Sequence, residues 1–200
     1  MHPVICLASS SPRRRELLSQ IGVPHVVAGA DIDESVLPDE TPRAYVIRLA
    51  REKALAIRRT GQQLPVLAAD TTVVVDSRVF GKPRDRTDAI EMLGTLAGRA
   101  HEVLTAIALA RSQGVSERLI SSTVRFRAIS PEECAAYWDT GEPRDKAGGY
   151  AIQGLGAVFV ESLSGSYSAV MGLPLFETGE LLQAAGIQFW NGASPGRERA

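Results

Sequence analysis

Three arginines stand side by side in Leu7-Ala8-Ser9-Ser10-Ser11-Pro12-Arg13-Arg14-Arg15-Glu16-Leu17, where a short apolar run gives way to a helical pattern. Such charge is misplaced on the first turn of a helix, whose N-terminus already carries partial positive charge and unpaired N–H groups. Cations there require an anion. Hydroxyls, backbone N–H groups and guanidinium forks converging on one helix start describe a phosphate site. A solvated basic turn is the plainer alternative, and it suits Arg15, expected on the outer face, better than Arg13 and Arg14.

Three further positions carry charge where the pattern asks for something apolar. Lys53 falls in the stripe Val46, Leu49, Ala50, Lys53, Ala54, Ile57, one face of a helix, so it points with the core. It either snorkels to water along its stem or meets an anion there. Asp70 interrupts two strand-like runs, 65–69 and 72–75. As a turn aspartate it would be unremarked; inside a buried strand it must meet cations or a metal. The acidic group Asp31, Asp33 and Glu34 follows a strand end and can bring a second carboxylate to Asp70, and Lys82, in Gly81-Lys82-Pro83-Arg84, sits just beyond a short hairpin. Acidic and basic loops are also commonly just solvated.

The elements that must hold these groups alternate along 200 residues without repeats. A strand at 4–8 precedes a helix with Ser11 as N-cap and Pro12 at its first position, ending near Gly22. A short strand at Val26-Val27, a long helix opened by Thr41-Pro42 and a helix from Thr87 to about Leu96 follow. Runs 101–110 and 117–129 flank Ser112-Gln113-Gly114 and read as a long hairpin. Ser130-Pro131 caps another helix, two strands are expected around Ser164-Gly165-Ser166, and a last helix runs from about Pro174 to Ala185. The expected fold is α/β, a mixed sheet with helices and long hairpins forming two lobes around a cleft. Residues 1–190 are read as a single domain and 191–200 as a flexible tail.

Composition sets limits on partners. With 44% hydrophobic residues the chain can bury a sizeable core, and a net charge of -1 gives no global attraction to nucleic acid or membrane. Anion binding must therefore be local. Cys6 and Cys134 have no partners at metal-ligand spacing and read as small core residues of a reducing compartment. No apolar run has the form of a signal peptide or the length of a membrane span, so a cytoplasmic protein is expected.

Seven ordered motifs now converge: Leu7 to Leu17, Asp33-Glu34, Arg51-Glu52-Lys53-Ala54, Ala69-Asp70-Thr71, Gly81-Lys82-Pro83, Asp145-Lys146-Ala147-Gly148-Gly149-Tyr150 and Ile152-Gln153-Gly154. Together they resemble the Maf family of nucleoside triphosphate pyrophosphatases, from about Ile5 to Leu182. The resemblance implies a fold similar to the inosine triphosphate pyrophosphatases, usually a homodimer, that cleaves a nucleoside triphosphate to the monophosphate and pyrophosphate. It assigns the triphosphate to Ser9, Arg13 and Arg14, phosphoryl neutralisation to Lys53 and Lys82, and a divalent cation, Mg²⁺ or Mn²⁺, to Glu34 and Asp70. The family also treats Asp70 as the proton acceptor; a carboxylate bound tightly to metal is a poor base, so Asp70 either takes the proton or positions a metal-bound water.

Base preference follows from three positions. Arg13, Thr71 and Gln153 resemble the pattern of the dTTP/UTP subfamily, where members acting on 7-methyl-GTP have Trp, Gln and Glu. A glutamine amide offers the donor and acceptor that match the O4 and N3–H edge of uracil or thymine. The alternatives are a 7-methyl-GTP pyrophosphatase and a non-catalytic, nucleotide-sensing regulator of septum formation. A pure binding module gains nothing from Glu34 and Asp70 beside an anionic ligand, because without a metal they repel it. Nucleic-acid binding through Arg13 to Arg15 and Arg58-Arg59 is disfavoured by the charge balance and by the absence of an aromatic-interleaved basic stripe.

Overall fold

The computed structural model describes residues 2–190 and has a single mixed β-sheet at its centre. Strand β1 (Ile5–Ala8) leads into helix α1 (Pro12–Gln20), and β2 (His25–Ala28) into α2 (Pro42–Arg59). Then come β3 (Val66–Val75), β4 (Arg78–Phe80), α3 (Arg86–Leu96), β5 (Ala100–Arg111), β6 (Gly114–Phe126) and α4 (Pro131–Asp139). Three short 3-10 turns precede β7 (Val160–Ser164), α5 (Tyr167–Met171) and α6 (Leu175–Ala184). The sheet order is β2-β1-β3-β5-β6-β7, with β4 folded back onto β3. β1 runs parallel to β2 and β3, and the remaining pairs are antiparallel.

The sequence of β3, Val-Leu-Ala-Ala-Asp-Thr-Thr-Val-Val-Val, explains the layering. Successive side chains of a strand point to opposite faces. Val66, Ala68 and Val74 lie in one core cluster with Val46, Ala50, Ala54 and Ile57, so α2 covers that face. On the other face Leu67 and Ala69 join α1 and α6 in a second cluster, while Val73 and Val75 join Leu93, Phe126, Cys134 and Tyr137 in a third. The apolar pattern fails on both faces at residues 70–72. On the second face Thr71 marks the gap between the second and third clusters.

Several expectations are corrected in detail. The runs at 65–69 and 72–75 join into one continuous strand, and Asp70, paired with Ala106 on β5, is the carboxylate inside a buried strand that its apolar flanks implied and not a turn residue. Strand β6 starts at Gly114 and stops at Phe126, earlier at both ends than 117–129. Its ladder with β5 reaches the tight turn through Arg111 opposite Gly114, and its pairing with β7 slips at Arg125/Phe126. The strand expected after Ser166 is the helix α5, because the Ser166 hydroxyl accepts from the Ala169 N–H and caps it. The tail expected at 191–200 lies outside the described residues. Cys6 and Cys134 are buried free thiols, as their small apolar character predicts. No helix among the described residues is long and apolar enough to cross a membrane.

Candidate active site

Strand β1 pairs with β3 at Val66 and Leu67, and β4 takes over the same edge from Val73. Residues 68–72 are left without a strand neighbour on that edge. A cleft of about 490 Å³ opens at this interruption. Ligands favour such places, where strands diverge at their carboxyl ends. Every side chain to which the resemblance gives a role lines it: Ser9, Arg13, Arg14, Glu34, Lys53, Asp70, Thr71, Lys82 and Gln153. Asp31 and Asp33, in the same acidic loop as Glu34, stay exposed outside it.

The phosphate side is built at the start of α1. Ser11 is the N-cap with extended backbone, but its side chain makes no capping bond. The hydroxyl that serves this turn is that of Ser9, which accepts from the Ser11 N–H at 3.2 Å and from Arg14 Nη1 at 3.4 Å. With no acidic residue in the first turn and no side-chain cap, the helix N–H groups are left for an anion. Arg14 is held on three sides: Nε donates to the Gly172 carbonyl at 2.8 Å and Nη2 to the Thr71 hydroxyl at 3.3 Å. Thr71 Oγ1 lies 3.0 Å from Thr105 Oγ1, which donates to the Ala169 carbonyl at 2.7 Å. Burial pulls the Arg14 pKa down while Asp70 supports its charge. Arg13 pairs with Asp145 across the cleft at 3.7 Å, and Asp145 also pairs with Lys146.

Across the cleft floor, Lys53 does not snorkel. Its ammonium donates to Asp70 Oδ1 at 2.6 Å and reaches Glu34 Oε1 at 2.7 Å. Burial pushes the Asp70 carboxyl above its ordinary range, against the pull of Lys53 and Arg14, and Glu34 adds to the rise. For Glu34 burial also pushes upward, but Lys53, Lys82 and Arg14 outweigh it and hold the carboxylate below its usual value. Tyr45 donates to the Glu34 backbone carbonyl at 3.0 Å, and burial together with both carboxylates raises its phenol to about 12. No cluster of three or more metal-ligating side chains occurs among the described residues. Two hard carboxylate oxygens nevertheless suit Mg²⁺ or Mn²⁺, which commonly takes one or two protein carboxylates and completes its shell with substrate phosphates. The donor set fits such an ion.

The sequence missed several groups that shape this site. Thr105 and the Gly172 carbonyl orient Arg14, and neither carries a local signal, since each reaches it only through tertiary packing. Asp145 and Lys146 stood in a recognised motif without a role. Gly148 in that motif has φ +68°, and a Cβ there would lie 2.8 Å from Val73 Cγ2, so only glycine lets this turn close against β3. Its N–H donates to the Gly81 carbonyl at 3.0 Å, which fixes the strand of chain bearing Lys82.

The chain matches known proteins by family, by sequence and by structure. The family model described as Maf-like protein matches residues 4–185. The dTTP/UTP pyrophosphatase of Methylobacillus flagellatus is 54% identical over 185 residues, covering 92% of this chain and 93% of that one. The proteins of the same name from Saccharophagus degradans and Hahella chejuensis are each 51% identical, over 94% of this chain in both cases and over 92% and 94% of their own lengths. Among solved structures, the Staphylococcus aureus Ham1 protein aligns with a TM-score of 0.41 and 18% identity, over 64% of this chain and 72% of that one.

Proposed function

This chain belongs to the Maf-like protein family, and we propose on that premise that it is a nucleoside triphosphate pyrophosphatase that hydrolyses dTTP and UTP to the monophosphate and pyrophosphate. The observation that carries the reading is the buried pair of Lys53 and Asp70, met by the more exposed Glu34, on the floor of a cleft whose wall is the uncapped, arginine-bearing start of α1. A buried carboxylate beside a polyanion site is costly unless chemistry uses it. The choice of pyrimidine rests on the names of the relatives and on the amide of Gln153.

In this reading Ser9, Arg13, Arg14 and the α1 N–H groups bind the triphosphate, and Arg13 exchanges Asp145 for a phosphoryl oxygen. Lys53 and Lys82 offset the charge that builds on the phosphoryl oxygens in the transition state. Water attacks the α-phosphorus and its proton passes to Asp70, the buried carboxylate on the cleft floor. The bond from the α-phosphorus to the bridging oxygen breaks, and pyrophosphate leaves with that electron pair. Glu34 and Asp70 would hold the divalent cation, which supplies electrophilic charge at the phosphates. The same reading takes the protein to be a cytoplasmic homodimer.

The test is a panel of canonical and modified triphosphates incubated with the purified protein in Mg²⁺ or Mn²⁺, with released pyrophosphate measured. Preferential release from dTTP and UTP is expected. Release of orthophosphate, or no dependence on the base, would overturn the reading.

A further inference from the structure

Tyr137 and Glu142 lie outside the cleft lining, yet they fix the loop that carries Gln153. Tyr137, at the end of α4, is buried with its ring edge-on to Phe159. Its hydroxyl donates to Glu142 Oε1 at 2.6 Å and accepts from the Ala151 N–H at 3.1 Å. Glu142 Oε1 also accepts from the Gly156 N–H, and Oε2 from the Leu155 N–H, both at 3.0 Å. The chain is therefore pinned at Ala151 and again at Leu155 and Gly156, with only Ile152, Gln153 and Gly154 between the pins. The Gln153 side chain itself makes no hydrogen bond among the described residues, so its backbone alone sets where its amide begins.

The glycines of this loop serve the same clamp. Neither Gly154 nor Gly156 lines the cleft. A Cβ on Gly154 would lie 2.6 Å from Glu142 Cδ, and one on Gly156 would lie 2.6 Å from the Tyr137 hydroxyl. They are small because a carboxylate and a phenol occupy the space beside them.

We propose that Glu142, with Tyr137, is the positioning residue for nucleobase selection: it holds Gln153 at the depth where its amide meets the base, without touching substrate itself. This rests on the pyrophosphatase reading above. A carboxylate is required because all three of its partners are donors. Replacing either oxygen by an amide NH₂ sets donor against donor, at Leu155 or at Tyr137 and Gly156.

The experiment compares Glu142→Gln and Tyr137→Phe with wild type, each alone and with Gln153→Ala, on UTP, on ribose 5-triphosphate and with inorganic tripolyphosphate as inhibitor. For Glu142→Gln the KM for UTP should rise about tenfold with kcat within about twofold, because one oriented hydrogen-bonding group is lost from base binding. Tyr137→Phe should act in the same direction by about threefold. Values for ribose 5-triphosphate and inhibition by tripolyphosphate should stay within about twofold, and neither variant should lower UTP selectivity further once Gln153 is alanine. A uniform fall on UTP and ribose 5-triphosphate, unchanged UTP selectivity, or full additivity with Gln153→Ala would overturn the inference. Wild-type protein that releases no pyrophosphate from UTP would overturn the parent reading, whereas active wild type with unaltered variants would overturn this one alone.

Discussion

Lys53→Met separates the energetics of the buried cluster from its chemistry. Methionine suits the apolar stripe of α2, so packing alone predicts little loss. The carboxylates decide otherwise. Glu34 has a side chain 51% exposed and can turn to water, but that of Asp70 is 10% exposed and cannot. Removing one partner of a buried ion pair costs about 3–5 kcal/mol, because the other charge is left uncompensated. For a chain of this size that is a fall in Tm on the order of 10 °C. Asp70→Asn should cost less, since Lys53 keeps Glu34 at 2.7 Å. The double variant, with neither charge, should recover at least half of the loss seen in Lys53→Met. The sign of the pH dependence follows. Without Lys53 the folded pKa of Asp70 rises further above its unfolded value, so the fold favours its protonated form and stability falls as pH rises towards that pKa. The gap to wild type should thus narrow on acidification, by at most about 1.4 kcal/mol per pH unit. Urea unfolding of the four proteins at pH 5, 6 and 7 measures all of this. Lys53→Met as stable as wild type, or a double variant less stable than the single, would refute the coupling.

Three further outcomes are expected. Asp70→Asn should lower pyrophosphate release by about 10²–10⁴-fold with an unchanged circular dichroism spectrum, and retained turnover would remove Asp70 from the chemistry. Gln153→Glu should lower kcat/KM for dTTP and UTP by about ten- to a hundredfold while sparing GTP, because a carboxylate opposes the O4 acceptor but accepts from the guanine N1–H; an equal fall on all substrates would end the base-reading assignment. His101, buried against Phe126 and bonded to the Tyr150 hydroxyl at 2.8 Å, is pushed down to about 4 by burial. Its neutral form stabilises the fold fully above pH 6.5, and about 3 kcal/mol is lost as pH falls through 4. His101→Phe should flatten that acid limb in urea midpoints taken between pH 7 and 4, and identical slopes in the two proteins would refute it.

Arg13, Arg14, Lys53 and Asp70 were legible in the sequence because each violates a local pattern, whereas Ser9, Glu34, Thr71, Lys82 and Gln153 were assigned by the family resemblance. Arginines at a helix start, a lysine in an apolar stripe and an aspartate in an apolar strand are costly unless compensated, and periodicity exposes the cost without any coordinates. Helix starts were legible for the same local reason, since Thr41 and Ser130 cap where Pro42 and Pro131 begin. Pairing between distant segments was not. Whether 65–75 is one strand or two depends on β5 supplying partners across Asp70. Within the site, only the tertiary structure decided that Lys53 meets two carboxylates instead of water, that Ser9 and not Ser11 serves the turn, and that Gly154 makes room for Glu142. These are contacts between groups 12 to 19 residues apart, or choices among neighbouring hydroxyls with the same local credentials. Sequence names the groups that cannot be left alone, because desolvation is a property of a residue in its own element. Their partners are fixed only when the sheet closes, because the compensating charge arrives from elsewhere in the chain.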